Sequence, residues 1–441
     1  MSCIYCFLSD EMQHKLKVKS RANTLRFEDD LYNYKENFID TLLKLDASSS
    51  CPVCHNYKNN QEVVFYLEEI RRDLQSKEKY IATIFDKIID IYVEFISKNH
   101  EKAYCKMINF LEKYSTNYTS VNAMQLCKPM FRVRSKDNKY DETDIREFFH
   151  IPFTKRYIVG NQRYSVAGQP MSYMAETLQI ALSETNQTID QVNVAMFFPR
   201  YSSFYEKGMY DVSNGLFQNL NAEISEAMTQ SSKTQYDNSF FTFSKKNMDK
   251  MIADYILYQI LQYPTKEDTK GVFVQEYVLP QLMMEVVQNK ADWLGLQYQT
   301  SKPPKYVNKE NYRRFPNLNY CFLIPYKNDT EYSEEYLEKF FYVVYLEGEA
   351  DVELEKVKEK IEECYEHCRA AQSKRYIVQE YFHYVTNVKM YLDELTEVNT
   401  EEYTKSKEFQ IEKKLLYRFL DKIDSVICNP ENIVFVSIDK I

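Results

Sequence analysis

Residues 150–184, HIPFTKRYIVGNQRYSVAGQPMSYMAETLQIALSE, concentrate the side chains best placed to do chemistry. From His150 through Ala175 there is no Asp or Glu, whereas 65 acids in 441 residues predict about four there. Lys155, Arg156 and Arg163 fall inside this gap and make a local positive field in a chain of net charge -9. A basic, acid-free segment running up to a helix start can receive an anion, most simply phosphate. On charge alone, a solvated basic loop is the plainer reading. His150 reads either as a pocket wall or, more simply, as a structural hydrogen-bonding group.

A second signature is metal chemistry. Cys3-Ile-Tyr-Cys6 and Cys51-Pro-Val-Cys54 are two short thiol pairs, and a two-residue gap lets both sulfurs of a turn reach one tetrahedral ion. Two such turns complete a structural Zn2+ site of four cysteines with no open position for catalysis. The 44 residues between them include a helical stretch near 29–45, so a helical excursion brings the knuckles together, with His14 and His55 as substitute ligands. Cys364, His367 and Cys368 share one helical turn and could hold a metal, although surface or core packing is the simpler reading. Arg71 and Arg72 with His100 have no local motif spacing and read as solvent-facing.

The string NQRYSVAGQPMSYMAETLQIALSE resembles the opening motif of the RES domain family, named for an arginine, a glutamate and a serine. The matching positions are Arg163, the Gly168-Gln169-Pro170 turn, Tyr173 and Glu184, with ten residues from Arg to Tyr and eleven from Tyr to Glu. HIPF and the Lys155-Arg156 pair resemble a longer-chain branch. EYVLPQLMMEVVQNKADWLGLQYQTS (276–301) resembles the family's second block, which makes Ser301 the serine and Thr300 its alternate. The resemblance covers about 140–330.

It implies an ADP-ribosyltransferase-like fold and NAD+ as substrate, with cleavage of the nicotinamide–ribose bond and water or phosphate as acceptor. It also implies a bacterial toxin or defence effector, with an antitoxin or regulatory protein as partner. Nicotinamide leaves as a neutral ring from a cationic precursor, so one carboxylate that stabilises positive charge on the ribose suffices. Glycosidases, with a poor leaving group, need two. On this resemblance Glu184 serves the ribose hydroxyl and the oxocarbenium charge. Arg163 binds the pyrophosphate with its planar fork, Tyr173 meets the nicotinamide–ribose end, and Ser301 adds a polar contact. A helix starting near Ala175 would bury Leu178, Ala181 and Leu182, leaving Glu184 at the stripe's edge and Glu176 almost opposite, toward solvent. ADP-ribosyl transfer to a protein is the rival within the class. A catalytically inactive RES scaffold, a zinc-stabilised interaction protein, is the rival outside it.

These residues must be held by surrounding elements. No glycine precedes Gly160, six of seven fall from Gly160 to Gly295, and the last is Gly348. Helices disfavour glycine and sheet turns need it, so the chain reads as helical, then mixed, then helical. The predicted class is α+β, a mixed β-sheet core with helical regions at both ends. The predicted regions are 1–60 (zinc knuckles with a helical excursion), 61–135 (a helical module), 136–345 (the RES domain) and 346–441 (a helical C-terminal region).

Ile81, Ile84, Phe85, Ile88, Tyr92 and Phe95 form a helical stripe, and a second helix covers 101–114. VNVAMFFP (192–199) reads as a strand, 200–245 as loops with a short helix near 221–230, and 246–263 as a helix ended by Pro264. GVFVQEYV, a helix from Pro280, LGLQYQ and NYCFLIPY complete the sheet and its crossovers. VELEKVKEKIEECYEHC and EFQIEKKLLYRFLDKI read as helices and NIVFVSI as a last strand.

Hydrophobic content of 44% is ample for a core, and no run approaches the roughly eighteen apolar residues of a membrane span. MSCIYCFLSDEMQHK lacks the pattern of a signal peptide, and ten cysteines then predict reduced thiols and a cytoplasmic location. A pI near 5.5 argues against direct nucleic-acid binding.

Overall fold

A computed structural model of the chain describes residues 3–22, 24–46, 60–116, 118, 128–136, 144–204, 207–230, 243–266, 273–300, 302, 305–307, 318–346, 351–371 and 375–428. Two units make up the fold, both discontinuous in sequence. The first takes Met1–Ser120, Gly160–Gly168 and Tyr210–Ala291; the second takes Val121–Val159, Gln169–Met209 and Asp292–Ile441.

Apolar spacing of three and four makes the first unit mainly helical. In the helix Glu78–Ile96, the residues Ile81, Ile84, Phe85, Ile88 and Tyr92 are all buried. Asn60 starts the helix Gln61–Ser76, its side-chain oxygen accepting from the N–H groups of Glu62 and Val63. Helices Phe27–Leu43, His100–Tyr114, Phe243–Leu261 and Val278–Gln288 complete the larger elements together with Asp10–Ser20 and Gly215–Gln230. Pro280 is the third residue of its helix, inside the first turn, where a missing N–H leaves no intrahelical bond unmade. Tyr34 packs edge-on against Phe85 and Tyr263 at ring separations of 5.5 and 5.8 Å. In the described part of GVFVQEYV, residues 273–278, there is no strand: Gln275–Tyr277 is a 3-10 turn feeding the next helix. Gln275 accepts from the N–H of Phe27, and Glu276 pairs with Arg21 at 2.9 Å, so side-chain bonds draw this segment into a turn.

The sheet, which apart from Tyr210–Val212 of its edge strand belongs to the second unit, is built on a strand that glycine distribution does not signal. Met130–Ser135 (β1), Ser172–Ala175 (β2), Val192–Pro199 (β3), Gly208–Val212 (β4), Trp293–Gln299 (β5), Leu318–Phe322 (β6) and Phe341–Tyr345 (β7) form one sheet in the order β4-β5-β6-β2-β1-β3-β7. The pairings β1–β2, β1–β3, β2–β6, β3–β7 and β5–β6 are all antiparallel. β1 falls inside the stretch expected to be a helical module. An interior strand needs no glycine, only alternation, and Met-Phe-Arg-Val-Arg-Ser supplies it.

One face of this sheet, with Phe131, Ala175, Val194 and Met196, is covered by the helix Leu178–Thr185 and by helices Leu354–Ala370, Arg375–Val398 and Lys407–Cys428. Met130, Met174, Phe197, Tyr320 and Phe322 occupy the opposite face against Phe148, Phe149, Leu337 and Phe340. The class is therefore α+β, as expected. The helix expected near Ala175 starts instead at Leu178, because Thr177 is its cap, accepting from the N–H of Ile180. Glu176 consequently sits at the end of β2 rather than on a solvent-facing helix surface. It is buried, pairs with Lys128 at 3.0 Å and accepts from the N–H of Leu318. The 432–438 segment NIVFVSI, expected as a last strand, lies outside the described residues.

Gly295 is where β5 and β6 come too close for a side chain. Its φ is +153°, and a Cβ there would lie 2.0 Å from the carbonyl oxygen of Cys321. Gly295→Ala is expected to lower stability by about 2–3 kcal/mol in urea denaturation; an unchanged midpoint would reject this close approach.

Candidate active site

The Leu178–Thr185 helix buries Leu178, Ile180, Ala181 and Leu182 against the sheet and ends on Asn186 in the left-handed conformation. Its start is pinned by Glu412, a fully buried carboxylate on the Lys407–Cys428 helix that accepts the N–H of Leu178 at 2.9 Å and the hydroxyls of Tyr403 and Tyr391. Its end is pinned by Lys302, whose Nζ donates to the carbonyls of Ser183 (2.7 Å) and Glu184 (3.1 Å) and to Asn186 Oδ1 (3.0 Å). A cation on the last carbonyls also suits the helix dipole.

Glu184, near this C-terminal end, is half-buried. Its Oε1 accepts from Thr300 Oγ1 at 2.6 Å and from Asn319 Nδ2 at 2.8 Å. Among the described residues Oε2 takes no hydrogen bond and no lysine or arginine side chain pairs with the carboxylate. Asn319 lies on β6 opposite Ala175 of β2 and Tyr298 of β5; Tyr173 lies opposite Cys321, two residues further along the same face. Tyr173 and Asn319 are thus diagonal neighbours about 7–8 Å apart. Beneath β2, the guanidinium of the buried Arg132 donates from Nη1 to the carbonyl of Tyr173 at 2.5 Å. Burial pushes the Cys321 thiol up to about 12, so it packs as a neutral, buried group on this face. The arrangement is a carboxylate held by two neutral donors over a sheet face with two half-buried tyrosines, Tyr173 and Tyr298. It can accept a hydroxyl hydrogen bond and stabilise a cationic centre, and no lysine or arginine among the described residues pairs with it.

Tyr173 and Glu184 are therefore brought to one face of the second unit, and Thr300, the alternate to Ser301, lands on the glutamate. Ser301 itself lies outside the described residues. Arg163 belongs to the first unit, where its Nη1 donates to the carbonyls of Leu261 (2.9 Å) and Tyr263 (3.0 Å) and its guanidinium lies over the ring of Tyr277. Lys155 and Arg156 are exposed on a 3-10 turn, Arg156 over the ring of Tyr326 at 4.8 Å. His150 is a buried structural group, as its plainer reading held. Its Nε2 accepts the N–H of Ser333 at 3.0 Å and its Nδ1 lies 2.7 Å from the carbonyl of Ile151. Burial lowers it to about 4, so it is neutral near pH 7. Cys3 is buried at the start of the short helix Ile4–Phe7 and Cys6 is partly buried within it; His14 is exposed. Cys51, Cys54 and His55 lie outside the described residues. Sequence reasoning missed Asn319, whose only signal is a polar residue at an alternating position of the NYCF strand, and Arg132 in the unrecognised β1.

The site defines an α+β protein with a carboxylate-bearing helix packed on an antiparallel sheet face. The chain is similar to a curated protein described as "Putative toxin YopC" from Bacillus subtilis (strain 168), with 22% identity over 252 residues. That match covers 55% of this chain and 52% of the relative, so the chain spans about half the length of the curated relative it matches. No family model and no solved structure matches the chain. No helix among the described residues is long and apolar enough to cross a membrane.

Glu412 generates a pH prediction. Burial pushes its carboxyl from 4.5 up to about 7, against the lowering by hydrogen bonds from Tyr403, Leu178 and Tyr391. The native state then holds a proton that the unfolded chain releases near pH 4.5. This contribution to stability is fully present below that pH and lost as pH rises through about 7. Glu412→Gln should flatten the fall in unfolding free energy between about pH 4.5 and 7, by an amount on the order of 3 kcal/mol, and with it the fall in Tm. Parallel Tm–pH curves for the two proteins would refute a buried, proton-binding Glu412.

Proposed function

We propose that the chain is an NAD+-consuming toxin of the RES type, with an ADP-ribosyltransferase-like domain on the second unit's sheet, that cleaves the nicotinamide–ribose bond. The observation carrying this reading is Glu184, oriented through Oε1 by Thr300 and Asn319, with Oε2 turned to no described donor. Similarity to a protein described as a toxin supports only the toxin part. The C1′–N bond breaks with its electron pair passing to the pyridinium nitrogen, so nicotinamide departs neutral. Positive charge develops on C1′ and the ribose ring oxygen, where the Glu184 carboxylate stabilises it more than it stabilises the ground state. Water or phosphate then supplies an oxygen to C1′ and releases a proton to solvent. Thr300 and Asn319 position the carboxylate, and Tyr173 offers its ring and hydroxyl to the ribose end.

The test is incubation of the purified chain with labelled NAD+. The wild type should convert it to nicotinamide and either ADP-ribose or ADP-ribose 1-phosphate, and Glu184→Gln should slow this by at least about 100-fold. Label on a macromolecule would replace hydrolysis with ADP-ribosyl transfer. Wild-type turnover by Glu184→Gln would remove the mechanism, and an inert wild type would leave an interaction scaffold.

A further inference from the structure

Helices Leu354–Ala370 and Lys407–Cys428 bring three donor atoms of different chemistry together in the second unit. His367 Nδ1 is 2.7 Å from Asp424 Oδ1 and 3.4 Å from Cys428 Sγ. All three donor atoms lie within 4.8 Å of one another. We infer that His367, Asp424 and Cys428 form a three-ligand site for a divalent transition metal of the zinc type, tying these two helices together near their C-terminal ends.

Linear spacing conceals the site. Cys364, His367 and Cys368 share a turn, but both of these cysteines are fully buried, and the Cys364 thiol points to the carbonyl of Leu420. His367 alone of the three turns outward, where Asp424 and Cys428, four residues apart and so on one face of the other helix, meet it. The partners of the histidine therefore come from a helix some sixty residues on, as its separations of 57 and 61 residues record.

The donor set restricts the ion. Imidazole with thiolate suits zinc, cobalt and their neighbours, whereas magnesium and calcium take oxygen ligands. Bonds of about 2.0–2.3 Å at tetrahedral angles place ligand atoms about 3.3–3.7 Å apart. The nitrogen–sulfur separation already fits. The nitrogen–oxygen gap must widen by about half an ångström as the metal replaces the proton shared across it. Asp424 Oδ2 accepts from the buried Lys360 at 2.7 Å, an outer hydrogen bond that fixes the carboxylate with Oδ1 toward the histidine. Asp424 is nearly buried while Cys428 is exposed, so the ligand cluster has a rigid base and an open approach for the ion. Three protein ligands leave one position for water. The same helix carries Glu412, so a bound ion would stiffen the element that pins the start of the Glu184 helix.

Titration of the chelator-treated full chain with Co2+ tests this, comparing wild type with His367→Ala and Cys428→Ser. The difference is what counts, because the Cys3, Cys6, Cys51 and Cys54 pairs are unchanged in all three proteins. Wild type should bind one more equivalent than either variant. It should also show a thiolate-to-cobalt absorption increment in the near ultraviolet that both variants lack, and Zn2+ should raise its Tm more than theirs. Far-UV circular dichroism confirms that the variants fold. Equal stoichiometry and equal spectra in the three proteins, or a wild-type increment that appears only at millimolar cobalt, would overturn the site.

Discussion

A carboxylate with no exposed surface sits beneath the first turn of the helix that carries the candidate catalytic residue, and the arrangement of the second unit depends on it. Burying Glu412 is costly unless its lone pairs are used. They are used by Leu178 N–H and by the hydroxyls of Tyr391 and Tyr403. The Leu178 N–H is one of the donors a helix start leaves without an internal partner, and a carboxyl group there also meets the positive end of the dipole. Eight residues make too short a helix to persist alone. This one persists because its entry point is bonded to a helix more than two hundred residues later, |i−j| being 234. Glu184, six residues on, is then fixed about 9 Å along the axis by helix geometry.

Glu176 precedes the short helix that carries Glu184, and the two have opposite environments. Glu176 faces Lys128, and its charge is matched at 3.0 Å inside the protein. Among the described residues Glu184 faces a hydroxyl and an amide, neutral groups that orient it. Lys302, the cation nearest along these contacts, spends its ammonium on backbone carbonyls and Asn186 rather than on the carboxylate. A paired carboxylate contributes to structure. One held only by neutral dipoles remains able to respond to positive charge appearing beside it, the electrostatic requirement of a dissociative bond cleavage.

Periodicity made much of this legible. The strand at Val192–Pro199 was read at its true bounds, because alternation and β-branched residues agree there, and the stripe from Ile81 to Tyr92 is buried as its spacing requires. Glycine marks turns and is silent about the interior of a sheet, so its distribution leaves β1 without a signal. The apolar spacing of Leu178, Ala181 and Leu182 does not by itself show where the helix begins; Thr177 caps it, which starts it three residues beyond Ala175 and leaves Glu176 outside it. The partners of Glu184 were only half visible. Thr300 stands beside the expected serine, whereas Asn319, 135 residues from Glu184 in sequence, reaches it through the β2–β6 register. No local pattern encodes such a register; it follows from which faces can be buried.

Arg163 shows how a side chain identified by motif can have a structural reason to be an arginine. The segment Gly160–Gly168 joins the first unit while its flanks, Val159 and Gln169, belong to the second. Gly168, at φ +80°, allows the backbone to turn there where a side chain would be strained. Within the first unit Nη1 of Arg163 satisfies the carbonyls of Leu261 and Tyr263 at the end of the Phe243–Leu261 helix, where carbonyls lack internal partners and the dipole favours a cation. Gln281 secures the same segment by donating to the carbonyls of Gln162 and Ser165. A lysine could satisfy the two carbonyls, but it would spend two of its three ammonium hydrogens there and keep one. The planar guanidinium differs: once Nη1 is bound, the directions of Nε and Nη2 are set as well, so the anchoring bonds also orient the rest of the fork.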